Sequence, residues 1–400
     1  MTPNKNVTSA RHMKDSELFT TMKGKKYLSF TKDAKQIARK MSQQYTAKKK
    51  AFETANSSFA KTGSLDISRI SNYKTSDAIF KTKMMQKEGQ SHGLVLVIDW
   101  SGSMNGTIKY VACQLLITML YAKYSGIPFE VYTFTSSSSG YGKSQKTQKT
   151  YGSSFSFYRI ADNSFKEKDL VNLFGHMVAY DEKHNIQMSD YYNQYVREKL
   201  GNMGGTPLIQ AQIASYISAH DLREKYKLQN VSIMFLTDGE GDNPYYNNDS
   251  IVDPISNREY FYKTENSSIN TVLSAVNKMI RESGFKIFNI LLTNEISVAG
   301  TTKSYFRQYH DASLTSSQIN SISHDVDEKY SKNGYADLKN FMFYDNYIFM
   351  NTKLFPLEVT SVDSTDATTI ISSRMKNIKN ISLVGTIIND ILVQDFKIKK

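Results

Sequence analysis

The chain has 400 residues, a mass of 45.5 kDa and a formal net charge of +12, with a single cysteine. That length can bury a large core, so one main α/β domain with extensions is expected, and the lone Cys113 excludes an internal disulfide and argues against a secreted, disulfide-rich adhesin. No run approaches the about 20 apolar residues of a membrane-spanning helix and no signal peptide is visible in MTPNKNVTSARHMKDSELF, so a soluble, cytoplasmic protein is expected, in a host cytoplasm if the chain is viral.

The positive charge is not spread evenly. Through residue 90 there are 19 Lys and Arg against 7 Asp and Glu, which accounts for the whole excess and leaves the remainder balanced. Residues 1–22 read as disordered, and the spacing of Ile37, Met41, Tyr45 and Phe52 predicts a helix over Asp33 to Lys61. Residues 1–64 therefore form a basic, partly disordered and partly helical N-terminal extension. Its cluster of Lys23, Lys25, Lys26, Lys35, Arg39, Lys40 and Lys48 to Lys50 is a solvated helix face in the plain reading, and a contact for nucleic acid or an acidic protein surface in the sharper one. Leu65 to Gln90 is an approach segment expected to pack on the domain.

From Leu94 the chain alternates strand and helix. Leu94 to Asp99 is a buried strand, Ile108 to Tyr124 a helix with Val111, Leu115, Thr118 and Ala122 as its apolar stripe, and Phe129 to Thr135 a second strand. The polar, low-complexity run from Ser136 to Ser154 is expected as a surface loop, and 153–203 as a variable middle region with a helix at Ser189 to Leu200. Pro207 suits an early helix position, so a helix is predicted from there to about Glu224, followed by a strand at Val231 to Thr237, a helix at Asn266 to Ser283 and a strand at Phe285 to Thr293. This order calls for a doubly wound, mostly parallel, Rossmann-like sheet over residues 65–293. Residues 294–345 read as an insertion, helical at Ser316 to Tyr330. Residues 346–400 complete the domain with a strand at Tyr347 to Asn351 and an amphipathic helix within Thr368 to Phe396, where Met375, Ile378, Ile381, Val384, Ile388, Ile391 and Leu392 recur at helical spacing.

Five oxygen-bearing side chains lie where these elements end: Asp99, Ser101 and Ser103 in LVLVIDWSGSM, Thr206 in MGGTPL and Asp238 in SIMFLTDGEG. Two apolar strands deliver the two carboxylates at their carboxyl ends, which is where open α/β sheets build ligand sites. Two carboxylates and three hydroxyls without His or Cys are hard ligands suited to Mg²⁺ or Mn²⁺. The plain alternative is that Asp99 and Asp238 only cap turns. Glu240 and Asp242 either add negative field near the ion or are turn formers.

The arrangement resembles the metal-ion-dependent adhesion site (MIDAS) of von Willebrand factor A (VWA) domains, with its D-x-S-x-S, later Thr and later Asp in that order. The resemblance implies that Ser101 and Ser103 bind the ion directly, Thr206 directly or through water, and Asp99 and Asp238 largely through water, leaving one position for a partner's carboxylate. Tyr73-Lys74-Thr75, Asp77 to Lys81, His92-Gly93, Asp99 to Met104 and Gly204 to Leu208 extend the resemblance, over roughly residues 65 to 300, to the CobT-like branch of cobaltochelatase subunits and to CobT-like proteins of tailed bacteriophages. The implied partner is a MoxR- or CobS-type AAA+ ATPase, and the implied role a non-catalytic adaptor coupling ATPase motion to a client. The short basic N-terminal segment departs from the long acidic region of chelatase subunits, which speaks against cobalt insertion here.

Other motifs fail on inspection. Gly142-Lys143-Ser144 ends like a Walker A loop, but Ser137 stands where its first glycine belongs; Asp99 likewise replaces the first glycine of a G-x-S-x-G nucleophile elbow. The seven histidines form no H-E-x-x-H pattern. Two further function classes are a nucleic-acid-associated assembly protein using the basic arm and a metal-dependent hydrolase, the latter lacking an evident base or second metal cluster.

Overall fold

The computed structural model describes residues 22–55, 58–65, 67, 80–85, 91–136, 155–182, 203–239, 241, 250–262, 269–309, 314–352, 388–390 and 392. The first elements are α1 (Met22–Ala55) and β1 (Ser58–Leu65), which pairs antiparallel with β2 (Phe80–Met85). Then come β3 (His92–Asp99), a 3-10 turn (Gly102–Met104), α2 (Ile108–Tyr124), β4 (Phe129–Ser136), β5 (Phe155–Asp162) and α3 (Glu167–Glu182). The second half comprises α4 (Leu208–Tyr226), β6 (Asn230–Thr237), a hairpin of β7 (Ser250–Val252) and β8 (Glu259–Phe261), α5 (Ile269–Glu282), β9 (Lys286–Thr293), α6 (Ala299–Tyr309), α7 (Ser316–Asn333), β10 (Tyr335–Lys339) and β11 (Asn346–Asn351).

Seven strands form one sheet in the order β10-β11-β9-β6-β3-β4-β5, parallel except for its two edge strands. β3 is an interior strand, between β6 and β4, and all eight of its residues are buried. Leu94, Leu96, Ile98 and the following Trp100 enter one apolar layer while Val95 and Val97 enter the other, because successive side chains of a strand point to opposite faces. A strand covered on both sides has no solvent face to mark with polar residues, which is why LVLVI is an unbroken apolar run. No described helix is long and apolar enough to cross a membrane.

The first layer holds α1, α2 and α3. All four predicted stripe residues of α2 are buried, but so are Cys113, Leu116, Ile117 and Leu120. A helix buried on all sides needs cover on the side away from the sheet. Here α1 supplies it with Ala34, Ile37, Ala38, Met41 and Tyr45, the Tyr45 hydroxyl lying 2.9 Å from His92 Nδ1. Glu167, at the start of α3, takes Lys35 Nζ at 2.7 Å and the Tyr124 hydroxyl at 2.7 Å, and Phe30 stacks on Phe174 at 5.4 Å. The Lys35 contact, the largest lowering influence, holds the Glu167 carboxyl below its ordinary value against some cost of burial. The N-terminal helix is thus a packed layer of the domain.

His176 of α3 is buried, and desolvation holds its imidazole down to about 4. A folded-state value depressed below the ordinary 6.5 means that the fold favours the neutral ring. Its contribution is complete above about pH 6.5 and is lost as the pH falls towards 4, to a total of about 3 kcal/mol. Between pH 7.5 and 4.5, urea denaturation is expected to show the wild type losing about 2–3 kcal/mol more than His176→Phe. An equal loss in both proteins would mean that His176 is not a source of acid sensitivity.

Several expectations from sequence change. The predicted helix over Asp33 to Lys61 begins earlier and ends at Ala55, and Ser58 to Leu65 is a strand. Thr62 is β-branched and Gly63 is a poor helix former, and the segment pairs with β2 through Ser58 to Lys61 and Leu65, with an irregularity between them. The middle region holds β5 and α3, neither anticipated. β5 is an antiparallel edge strand pairing Phe155 to Asp162 with the length of β4, a long-range contact that its own short run does not announce. Residues 294–345 do not stand outside the sheet. Their β10 pairs with β11 over five residue pairs, and Tyr305, Phe306, Val326 and Tyr330 join the second core layer with α4 and α5. Gln318 and Thr315 form a capping box that starts α7, and Gly334, at φ 79°, ends it. The expected helix at Ser189 to Leu200, the disorder of residues 1–21, and Glu240 and Asp242 lie outside the described residues, as does most of the Ser136 to Ser154 loop. Of the expected C-terminal helix, 388–390 and 392 are described as helical, with Ile388 and Leu392 buried in the first layer and Asn389 accepting from the Tyr121 hydroxyl at 3.0 Å.

Candidate metal centre

Asp99 is the last residue of β3, and Asp238 follows the last residue of the adjacent parallel strand β6. α2, which follows β3, lies in one layer; α5, which follows β6, lies in the other. Where consecutive crossovers part to opposite faces, the carboxyl ends of the two strands leave a crevice. Ser101 and Ser103 flank Gly102 in the 3-10 turn directly above it.

The residues form a connected chain. Ser101 and Ser103 have their hydroxyl oxygens 2.9 Å apart, and the Ser103 hydroxyl donates to Asp238 Oδ1 at 2.9 Å. Behind them Asp99 Oδ1 accepts from the Ser101 N–H at 2.9 Å, and Oδ2 accepts from the Thr237 hydroxyl at 2.9 Å. The register Ile98 to Leu236 makes Asp99 and Thr237 lateral neighbours, so the second contact follows from strand pairing. Thr237 Oγ1 also lies 3.2 Å from the Gly239 carbonyl oxygen and accepts from the Gly239 N–H at 3.3 Å, which fixes the turn carrying Asp238.

Thr206 reaches the same rim by a different device. The Gly102 N–H donates to the Gly204 carbonyl at 2.9 Å, making a parallel bridge between Ser101 and Gly204. On its other side Gly204 donates to Thr135 Oγ1 at 2.9 Å, Gly205 donates to Ser136 Oγ at 2.6 Å, and the Ser136 N–H returns a bond to the Gly205 carbonyl at 3.2 Å. A Cβ on Gly204 would lie 1.8 Å from the Ser136 carbonyl oxygen, so only glycine fits between the β4 end and the serine turn. This lock seats Thr206, which is buried, at the head of α4. Four of the five residues are therefore joined by hydrogen bonds; among the described residues, none links the Thr206 hydroxyl to the other four.

Burial, with the facing charge of Asp238 adding to it, pushes the Asp99 carboxyl up to about 7 against the lowering effect of its hydroxyl and N–H donors. Asp238, half-buried, is also raised, by desolvation first, with the Ser103 hydroxyl opposing. One buried and one half-buried carboxylate that raise one another's energy make a place where a cation is favourable. The geometry fits a small octahedral ion: oxygens in neighbouring positions around Mg²⁺, each about 2.0–2.1 Å from the ion, stand about 2.9 Å apart, and the Ser101–Ser103 and Ser103–Asp238 oxygen pairs are each 2.9 Å apart. Among the described residues no group of three or more His, Cys, Asp or Glu converges. Ser101, Ser103 and Asp238 are the side chains that would hold the ion, with Asp99 behind them.

Thr237, Thr135, Ser136 and Gly204 are members of the site that the motif did not single out. Thr237 carried a signal, since it adjoins Asp238 at a strand end. Thr135 and Ser136 carried none, because only the register of β3 on β4, with Asp99 opposite Phe134, places them beside the serine turn.

No protein-family model matches the chain, and no curated protein matches its sequence. Among solved structures it is similar to the pilus adhesin SpaC of Lactobacillus rhamnosus GG in its open conformation, at 14% identity and a TM-score of 0.33 over 62% of this chain and 31% of that one. It is also similar to three N-terminal domains of the type V pili tip protein Mfa5 of Porphyromonas gingivalis, at 12% identity and 0.32 over 71% and 50%. Proximal thread matrix protein 1 of the mussel byssus gives 10% and 0.27 over 62% and 49%. The chain spans half or less of each of these proteins, and at these TM-scores the likenesses carry no argument about family or function.

Proposed function

We propose that this chain is a non-enzymatic, Mg²⁺-dependent interaction adaptor of the VWA type, which presents a metal ion at the β3–β6 crevice to an acidic residue of a partner. The observation that carries the reading is the hydrogen-bonded chain Ser101–Ser103–Asp238, with Asp99 buried behind it, linking residues 135 positions apart at a strand-end crevice. An ion held largely by neutral hydroxyls keeps most of its charge, and that charge favours an outside carboxylate. Mn²⁺ satisfies the same donors.

The partner proposed is an AAA+ ATPase of MoxR or CobS type, on the resemblance of DWSGSM and GGTPL to CobT-like subunits, with this chain coupling ATPase motion to a client in the cytoplasm. Affinity purification from the native cell, run with Mg²⁺, with EDTA and with Asp99→Asn, tests it. Recovery of an AAA+ ATPase with Mg²⁺ and wild-type Asp99 alone is the expected result. Recovery that ignores both the metal and the substitution would sink the adaptor mechanism, and recovery of nucleic acid without an ATPase would shift the function to the basic N-terminal segment.

A further inference from the structure

Trp100 is the only tryptophan in the chain and stands between two candidate ligands, Asp99 and Ser101. It is fully buried, and its backbone N–H donates to the Phe134 carbonyl at 2.9 Å. Strand alternation continues through it: the indole enters the first core layer with Ile98, and its neighbours Asp99 and Ser101 therefore face away from that layer, towards the crevice. The indole meets the ring of Tyr180 with centroids 5.2 Å apart and planes inclined at 39°. Tyr180, partly buried, lies in the last turn of α3.

Below the serine turn, Met104 is fully buried, and its carbonyl accepts the Thr107 hydroxyl at 2.7 Å. The turn is thus pinned at both ends, by Trp100 on the side of Asp99 and by Met104 on the side of α2, while Gly102 and Ser103 between them are exposed. Displacement of the Trp100 backbone would turn the peptide that carries the Ser101 N–H, the group that orients Asp99 Oδ1.

Resting on the metal reading above, we propose that Trp100 and Tyr180 are a positioning pair for the ion-binding turn: the indole, held against Tyr180, fixes the orientation of Asp99 and Ser101 and ties the site to the end of α3. Neither ring touches the ion. Their effect is transmitted through the backbone of the turn.

The test uses the full chain and substitutes Tyr180 first, since removing the fully buried indole risks the fold. Tyr180→Ala is expected to weaken Mg²⁺ binding about tenfold by calorimetry, as loss of an outer support does at metal sites, while Tyr180→Phe, which keeps the ring, stays within about threefold of wild type. In the metal-free protein, Tyr180→Ala is expected to speed amide hydrogen exchange about tenfold at Ser101 to Met104 while leaving α6, remote from the pair, unchanged. Mg²⁺ should also shift the emission of the single indole in the wild type. Unchanged exchange in the turn overturns the positioning role, and so does faster exchange with unaltered affinity in a protein that binds Mg²⁺. A wild type that binds no Mg²⁺ overturns the metal reading, and faster exchange in the turn of that protein's Tyr180→Ala variant would still support the pair as the anchor of the turn.

Discussion

Mg²⁺ is expected to stabilise the wild-type protein against heat, and Asp99→Asn to abolish that gain without lowering the melting temperature of the metal-free protein. An ion at a hundredfold excess over its Kd adds about 2.7 kcal/mol to a fold that binds it, which for a chain of this size is about 3 °C. The second half of the expectation comes from burial. Asp99 is wholly inside, faces a second carboxylate, and has a hydroxyl and an N–H as its hydrogen-bond donors, so in the absence of a cation its charge is a cost to the fold. An amide of the same shape removes that charge. Its oxygen still accepts from the Ser101 N–H, and its NH₂ faces Thr237, whose hydroxyl has the Gly239 carbonyl as an alternative acceptor. Asp99→Ala is the poorer probe, because it strips a buried partner from both donors at a cost of about 1–3 kcal/mol. Thermal melts with Mg²⁺ and with EDTA decide the matter: an equal Mg²⁺ response in wild type and Asp99→Asn would remove Asp99 from the centre, and a large drop in the metal-free melting temperature of Asp99→Asn would make its carboxylate structural.

Gly204→Ala is expected to be the most damaging single-methyl change at the site, while Gly102→Ala, only three residues beyond the carboxyl end of β3, is nearly silent for folding. The methyl of Gly204→Ala would meet the Ser136 carbonyl oxygen at 1.8 Å, and the obstacle is backbone, not the far end of a side chain. Relief requires the β4 end or the serine turn to move, breaking the bonds of Gly204 to Gly102 and to Thr135 and of Gly205 to Ser136. A loss of about 2 kcal/mol or more follows from overpacking together with broken hydrogen bonds. A Cβ on Gly102 finds its nearest neighbour at 3.9 Å, an ordinary contact. Urea denaturation of the two variants measures the contrast. Equal stabilities would mean that the β4–Gly204 lock is not what seats Thr206.

The two outcomes bear on different parts of the functional reading. Asp99→Asn tests charge in the crevice with the backbone intact. Gly204→Ala tests whether the loop carrying Thr206 must be held against β4 for the other four residues to converge. A protein that loses Mg²⁺ binding in both variants, but loses stability only in the second, matches a centre assembled from two strand ends and a separate clamped loop.

Much of this was legible in the residues themselves. An unbroken apolar run such as LVLVI can be satisfied only by a strand covered on both faces, and Asp99 and Asp238 at the ends of such runs had to emerge at the same edge of a parallel sheet. The apolar spacing of Ile37, Met41 and Tyr45 likewise marked a helix with one face to bury. What the sequence could not state was partnership over distance. β5 and β10 are edge strands whose existence depends on β4 and β11 being there to pair with them. The burial of α2 on all sides depends on α1 arriving from the N-terminal segment, and the glycine requirement at 204 exists because the Ser136 carbonyl stands 1.8 Å from where its Cβ would be. Periodicity and residue chemistry act between near neighbours and are written in the chain, so the residues alone marked the interior strands, most of the helices around them and the five candidate ligands. Strand order, register and close backbone approach are properties of the packed whole, and from them come the hydroxyls, the glycine and the buried ring that surround those candidates.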